Sequence, residues 1–246
     1  MEFWDEVRLV LKRHGFAFSQ ECRCSPKTAD VAASGSSKLL IRLSPNIDSI
    51  ARQDAEKIMA AGAITEAEPI ILGLRGHERM CDSAIYERFS IPAMTPTAFE
   101  SYISGDALFR AERGGLAFDV SNIDSLRLER GISRNQFAQM LGVSVTMVKK
   151  YESGSSPGPA VAERLFSIFG EKISARKTYY GKPGKVVEEL GRAPFEFALR
   201  SRSLFLVSSG ESRERVSLLN SFAEVLEAEP VVLGKNRPIA DLLDEI

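Results

Sequence analysis

Lys149 and Lys150 stand side by side in a stretch, Ile132 to Gly154, where Ser144, Val145 and Thr146 are the near neighbours. Adjacent lysines can displace counterions condensed on a phosphate backbone, and short hydroxyl or methyl-bearing side chains can read base edges or a thymine methyl. A second chemical candidate is Asp30, which precedes an apolar run, Leu39 to Leu43, containing Arg42. A carboxylate there could begin a hydrolytic magnesium site, but only if further oxygen ligands follow. Other chemistries lack their residues. The two histidines, His14 and His77, have no Ser or Cys partner in a recognisable nucleophile motif. Cys22 and Cys24 form a C-x-C pair, a poor zinc spacing even with Cys81 and His77, so the three cysteines read as free thiols. Gly114-Gly115 reads as a turn, and Gly181-Lys182-Pro183-Gly184 lacks the spacing of a phosphate loop. No enzyme activity, metal or cofactor is expected.

The elements that must position the lysines are legible. Ser133 suits an N-cap, and Phe137, Ala138 and Leu141 then line one helical face. Gly142 follows where a helix ends in a left-handed residue, and Ser144 caps the next helix, whose Val148 and Tyr151 return to a core. This is a helix-turn-helix, with a second helix of a kind that fits the DNA major groove. A packed helical hairpin without DNA contact is the plainer reading. A further helix is expected from Pro159 to Phe169.

The order Leu126, Arg130-Gly131-Ile132-Ser133, Phe137-Ala138, Leu141-Gly142-Val143-Ser144, Val148 and Tyr151-Glu152-Ser153-Gly154 resembles the Cro/repressor-type helix-turn-helix family over about Asn122 to Gly170. The resemblance implies that Arg134 touches a phosphate or clamps a recognition side chain. It implies that Val145, Thr146 and Lys149 face base edges and that Lys150 meets the backbone. Asn135, Ser144 and Met147 complete the implied DNA-contact set. Many relatives carry Gln or Arg at the positions of Arg134 and Val145, so an apolar Val145 points to thymine methyls.

Charge limits how such contact can work. From Ser121 to Ile173 there are seven Lys/Arg against five Asp/Glu, and the whole chain has a formal net charge of −1. Any DNA surface must therefore be local. With 246 residues the chain has room for two or three domains, and no apolar run approaches a membrane span. Its acidic start is unlike a signal peptide, so the expectation is a cytoplasmic protein without membrane contact.

The flanks of the helix-turn-helix repeat each other. Ala67-Glu68-Pro69-Ile70-Ile71-Leu72-Gly73 recurs as Ala228-Glu229-Pro230-Val231-Val232-Leu233-Gly234. Upstream, Ala29 to Ala32 and Leu39 to Leu43 correspond to Phe195 to Ala198 and Leu204 to Val207, each followed by an amphipathic helical pattern. A helix is expected before each copy, Phe3 to His14 and Gly184 to Leu190. The pattern reads as an internal duplication of helix, strand, turn, strand, helix, strand. Arg113 to Phe118 is expected as a turn and strand, Ser153 to Gly158 as a loop, and Lys177 to Gly184 as a connector.

This order is similar to the restriction-endonuclease and junction-resolvase fold. That resemblance implies an E-x-K after Asp30, but Leu40 fills its acid position and Arg42 its lysine position; in the second copy the same reading assigns Phe205 and Val207. The catalytic apparatus is therefore expected to be degenerate. Leu40-Ile41-Arg42-Leu43, Asn46-Ile47-Asp48-Ser49, Glu68 to Gly73, Tyr86 to Pro92, Thr95-Pro96, Phe99-Glu100 and Arg113-Gly114-Gly115 together resemble a family of archaeal helix-turn-helix transcriptional regulators with a resolvase-like N-terminal domain. Where that family suggests a glycine-containing turn, this chain has Cys81 to Tyr86.

The expected architecture is α+β and multidomain, with an all-α helix-turn-helix flanked by two related αβ units. Its segments are an αβ domain over 1–110, the helix-turn-helix over 111–173 and a second αβ unit over 174–246. The expected function is sequence-specific binding of double-stranded DNA by a homodimer, with a small-molecule or protein effector left open. A nuclease targeted by the helix-turn-helix and an antitoxin-like partner protein are the alternatives.

Overall fold

The computed structural model describes residues 3–106, 108–112, 115–117, 123–153, 159–169, 186–191, 193–209 and 212–234. Most of the Ser153–Gly158 loop and the Lys177–Gly184 connector lie outside them. The chain divides into two compact units, each built from non-consecutive segments. One comprises Met1–Leu72, Arg88–Ile91 and Thr178–Ile246; the other comprises Gly73–Glu87 and Pro92–Lys177. This division cuts the chain differently from three consecutive segments, because the C-terminal repeat packs on the N-terminal one.

The first copy in unit one runs α1 (Phe3–Arg13), β1 (Ala17–Phe18), β2 (Val31–Ser34), β3 (Lys38–Leu43), α2 (Arg52–Thr65) and β4 (Glu68–Leu72). The second runs β9 (Val186–Glu189), β10 (Phe197–Arg200), β11 (Leu204–Ser208), α8 (Arg213–Leu226) and β12 (Glu229–Val232). The strand orders β1-β2-β3-β4 and β9-β10-β11-β12 match, each with antiparallel pairs followed by one parallel pair. The registers correspond as well. Val31 faces Ile41 as Phe197 faces Val207, and Ile41 faces Ile70 as Val207 faces Val231. Both helices end in a left-handed glutamate, Glu66 and Glu227, each at φ 56°.

Two expectations change. Gly184 to Leu190 does not supply a helix: residues 186–189 form β9, whose Val186-Val187 pair suits a strand. By register β9 is the counterpart of β1. Register also moves the second copy's acid and lysine positions by one, to Leu206 and Ser208 in place of Phe205 and Val207. A shift of one turns a side chain to the other face of the sheet.

Successive strand residues point to opposite faces. Val31, Ala32, Ala33, Leu39, Leu40 and Ile41 are all fully buried, so both faces of β2 and β3 are covered. The covering helices come from both copies: α2 packs on β3 and β4 but also on β10 and β9, and α8 packs on β11 and β12 but also on β2 and β1.

Unit two holds β5 (Ala84–Arg88), β6 (Ile91–Met94), α3 (Pro96–Ser104), β7 (Phe109–Glu112) and β8 (Gly115–Ala117), then four helices. These are α4 (Ile123–Glu129), α5 (Arg134–Leu141), α6 (Val145–Glu152) and α7 (Pro159–Phe169). β5 pairs parallel with β7, which pairs antiparallel with β8. The segment before β5 is not a spacer. Cys81 and Ala84 are buried in one core with Ile123, Phe137, Ala138, Leu141, Val148, Leu165 and Phe169. The Cys81 N–H donates to the Tyr86 hydroxyl at 2.8 Å, closing the turn without glycine.

Gly142 ends α5 at φ 63°, and a Cβ built there collides with the Arg164 guanidinium. Gly142→Ala is expected to destabilise the protein by at least about 1–2 kcal/mol, the usual cost of a left-handed side chain. Urea unfolding checks this; an unchanged midpoint would show that the turn relaxes freely.

Candidate nucleic-acid interface

Short helices are marginal alone, so the positions of α5 and α6 depend on caps and packing. Ser133 and Gln136 form a capping box: the Ser133 hydroxyl accepts from the Gln136 N–H at 3.3 Å, and the Gln136 side-chain oxygen accepts from the Ser133 N–H at 2.9 Å. At the other end of α5, Arg164 from α7 donates to the Leu141 carbonyl at 2.5 Å. A guanidinium at a helix C-terminus satisfies an orphan acceptor and complements the dipole. Ser144 starts α6, accepting from the Met147 N–H at 3.2 Å. The turn between the helices is thus only Gly142-Val143-Ser144.

Burial then decides what α6 presents. Val148 and Tyr151, three apart, are buried. Val145 lies on the same helical side and packs half-buried against the core, with Met147 also half-buried. Thr146, Lys149 and Lys150, at i, i+3 and i+4, share the opposite exposed face. Ser144, Arg134 and Asn135 are exposed as well. The structure therefore groups Thr146, Lys149 and Lys150 as the outward face of α6 and leaves Val145 only partly available to a base.

Arg134 is a clamp. Its Nε lies 2.7 Å from one oxygen of Glu152, the last residue of α6, while Arg127 of α4 lies 2.9 Å from the other. The Glu152 and Arg127 side chains are each only 6% exposed, whereas Arg134 is 50% exposed. Arg127 also donates to the Ile132 carbonyl at 2.7 Å. One carboxylate therefore joins the end of α6 to α4 and to the start of α5. Arg130 adds a bond to the Ile168 carbonyl and sits 5.3 Å over the Phe169 ring, tying α4 to α7.

The Asp30 region has different chemistry. Asp30 is buried; one carboxylate oxygen is paired with Lys27, and the other lies 3.1 Å from Arg42 and accepts the Leu43 N–H at 2.9 Å. Lys27 also donates to the Cys22 carbonyl at 3.0 Å. Leu40, at the acid position, is fully buried and offers no oxygen. This donor set does not fit a magnesium ion, which requires several oxygen ligands. The equivalent Glu196 pairs with Arg215 at 3.0 Å and accepts from Ser209, beside an apolar Leu206. Burial pushes the Cys22 thiol up to about 11, so it is protonated at neutral pH.

Residues 1–108 match a PD-(D/E)XK superfamily domain, and residues 123–175 match a helix-turn-helix domain. A protein of Pyrococcus abyssi is 34% identical over 179 residues, covering 70% of this chain and 56% of its own length. One of Halobacterium salinarum is 33% identical over 177 residues, covering 70% and 55%. Both carry the name "Putative HTH-type transcriptional regulatory protein". The chain is similar to archaeal proteins of this name and carries both domain types. It spans about half the length of the curated relatives it matches. No solved structure matches it. The two domain types bear out the α+β multidomain architecture with a nuclease-like fold beside a helix-turn-helix.

Sequence reasoning pointed to Thr146, Lys149 and Lys150 on α6, but read Glu152 only as part of the helix-turn-helix motif and gave Arg127 and Arg164 no role beyond their charge. A signal for Arg127 was available. It lies four residues after Ile123, on the buried side of α4, where a charge requires a partner. Removing Glu152 strands that buried guanidinium. Glu152→Ala is expected to cost about 3–5 kcal/mol, the range for breaking a buried pair from one side. Denaturant unfolding tests this, and a loss below about 1 kcal/mol would mean that the clamp is only a surface pair.

Proposed function

We propose that this chain is a sequence-specific DNA-binding regulator of transcription, with α6 entering the major groove. The observation that carries this reading is the exposed Thr146, Lys149 and Lys150 face on a helix fixed from behind by a buried core and the Glu152 clamp. Thr146 and Lys149 meet base edges, and Lys150 meets a phosphate. Ser144, Asn135 and the exposed part of Arg134 lie along the backbone contact, while Val145 and Met147 offer their half-buried apolar groups at its margin.

One recognition helix reads few base pairs, so two copies bind half-sites one helical turn apart as a homodimer. The site of action is the cytoplasm. The names of the relatives and the helix-turn-helix match support regulation over catalysis. The PD-(D/E)XK match would favour a nuclease, but the Asp30 and Glu196 positions lack the companion carboxylate that such hydrolysis uses. The αβ unit in this reading is non-catalytic and is the place for an effector to act.

The test is a binding titration on genomic fragments over a range of salt concentrations. Lys149→Ala with Lys150→Ala should weaken binding and reduce the salt slope by about 1 for each lost phosphate contact. Lys149→Ala alone should also relax discrimination between fragments. Equal affinity and slope for wild type and the double variant would sink the proposal.

A further inference from the structure

The two αβ copies do more than adjoin, because each places polar groups on the helix of the other. At the tip of the β2–β3 hairpin, Lys38 donates to the Leu226 carbonyl at the end of α8, 3.1 Å away, and lies 2.6 Å from Glu227. At the tip of the β10–β11 hairpin, Arg200 donates to the Ile64 carbonyl at the end of α2, 2.7 Å away, and lies 3.1 Å from Glu66. Glu66 and Glu227 are the equivalent left-handed caps of the two helices.

The exchange recurs elsewhere. The Gln20 backbone N–H donates to Ser221 of α8 at 2.8 Å, and its side chain donates to Ser217 at 3.2 Å. By register, Gln20 corresponds to Glu189, whose carbonyl accepts from Lys57 of α2 at 2.6 Å. Across the copies the Thr28 N–H also donates to the Ala193 carbonyl at 2.8 Å, and the Ala193 N–H donates to the Pro26 carbonyl at 3.2 Å. The reciprocity holds between elements, hairpin tip to helix end and strand end to helix in both directions, which is the pattern of an isologous, pseudo-two-fold interface.

We infer that the C-terminal copy serves as a built-in partner subunit: the N-terminal αβ copy carries an isologous docking face, and residues 186–234 occupy it in cis. The ligand class of that face is a second αβ unit of the same fold. Because the face is filled within one chain, a homodimer on DNA must be built through other surfaces.

The experiment nicks the full chain at a protease site inserted after Gly181, leaving both copies present but unlinked. The expected result is a 1:1 complex of the two fragments that co-elutes at the mass of one chain. Its Tm should rise with protein concentration, since folding is now coupled to association. Lys38→Glu with Arg200→Glu should weaken the nicked complex by about tenfold or more. Adding Glu227→Lys and Glu66→Lys, which restores both pairs with swapped signs, should recover part of the loss. Fragments that separate at micromolar concentration, each keeping its own cooperative melt, would overturn the inference. So would a nicked complex whose Tm ignores concentration, or a charge swap that leaves the reversed variant no tighter.

Discussion

A strand buried on both faces needs two covers, and one helix supplies only one. That constraint organises the αβ unit. Val31 to Ala33 and Leu39 to Ile41 are buried throughout, whichever way each side chain points. The first copy's own helix α2 covers β3 and β4, and α8 from the second copy supplies cover on β2. The second copy is served in return by α2 on β10. Duplication therefore does what a longer helical crossover does in other α/β folds, shielding apolar strands that would otherwise face water. The charged hairpin tips follow from the same arrangement: each hairpin reaches the end of a helix that belongs to the other copy, where carbonyls lack internal partners.

The helix-turn-helix solves a smaller problem by different means. Its helices are too short to persist alone, and the core that holds them includes Cys81 and Ala84 from outside the contiguous motif. Around that core, arginines do the joining. Arg127 and Arg134 share Glu152, Arg164 reaches the end of α5, and Arg130 spans to α7. These groups use their charge internally. The lysines of α6, by contrast, remain on the exposed face. A motif with little net charge can thus offer a local cationic surface, because Arg127, Arg130 and Arg164 bond within it while Lys149 and Lys150 stay exposed.

The Asp30 position of the nuclease-like fold shows how little separates a metal site from an ordinary ion-pair network. Asp30 is present, but a buried leucine stands at the companion-acid position, and the carboxylate is paired with Lys27 and Arg42. A hard cation loses its oxygen ligands and meets two competing positive charges. The same backbone arrangement, an acid accepting the N–H one residue past its cross-strand partner, recurs at Glu196 with Ser209. The acid at this position is therefore serving the strand junction in both copies, independent of any metal.

Local patterns settled much of this in advance. Caps, glycines and apolar spacing placed α5, the turn and α6, because each depends only on neighbours along the chain. The repeated Ala-Glu-Pro segments likewise marked β4 and β12, whose residues lie in one register. The sequence could not show that β9 replaces the expected helix, since Val186 to Glu189 becomes a strand only by pairing with β10. Nor could it show that Val145 turns partly inward, that Glu152 holds two arginines, or that the two copies exchange helices. Those outcomes depend on which apolar faces meet and which charges are left without water. Such questions are decided by contacts between residues far apart in the chain, and only the tertiary structure answers them.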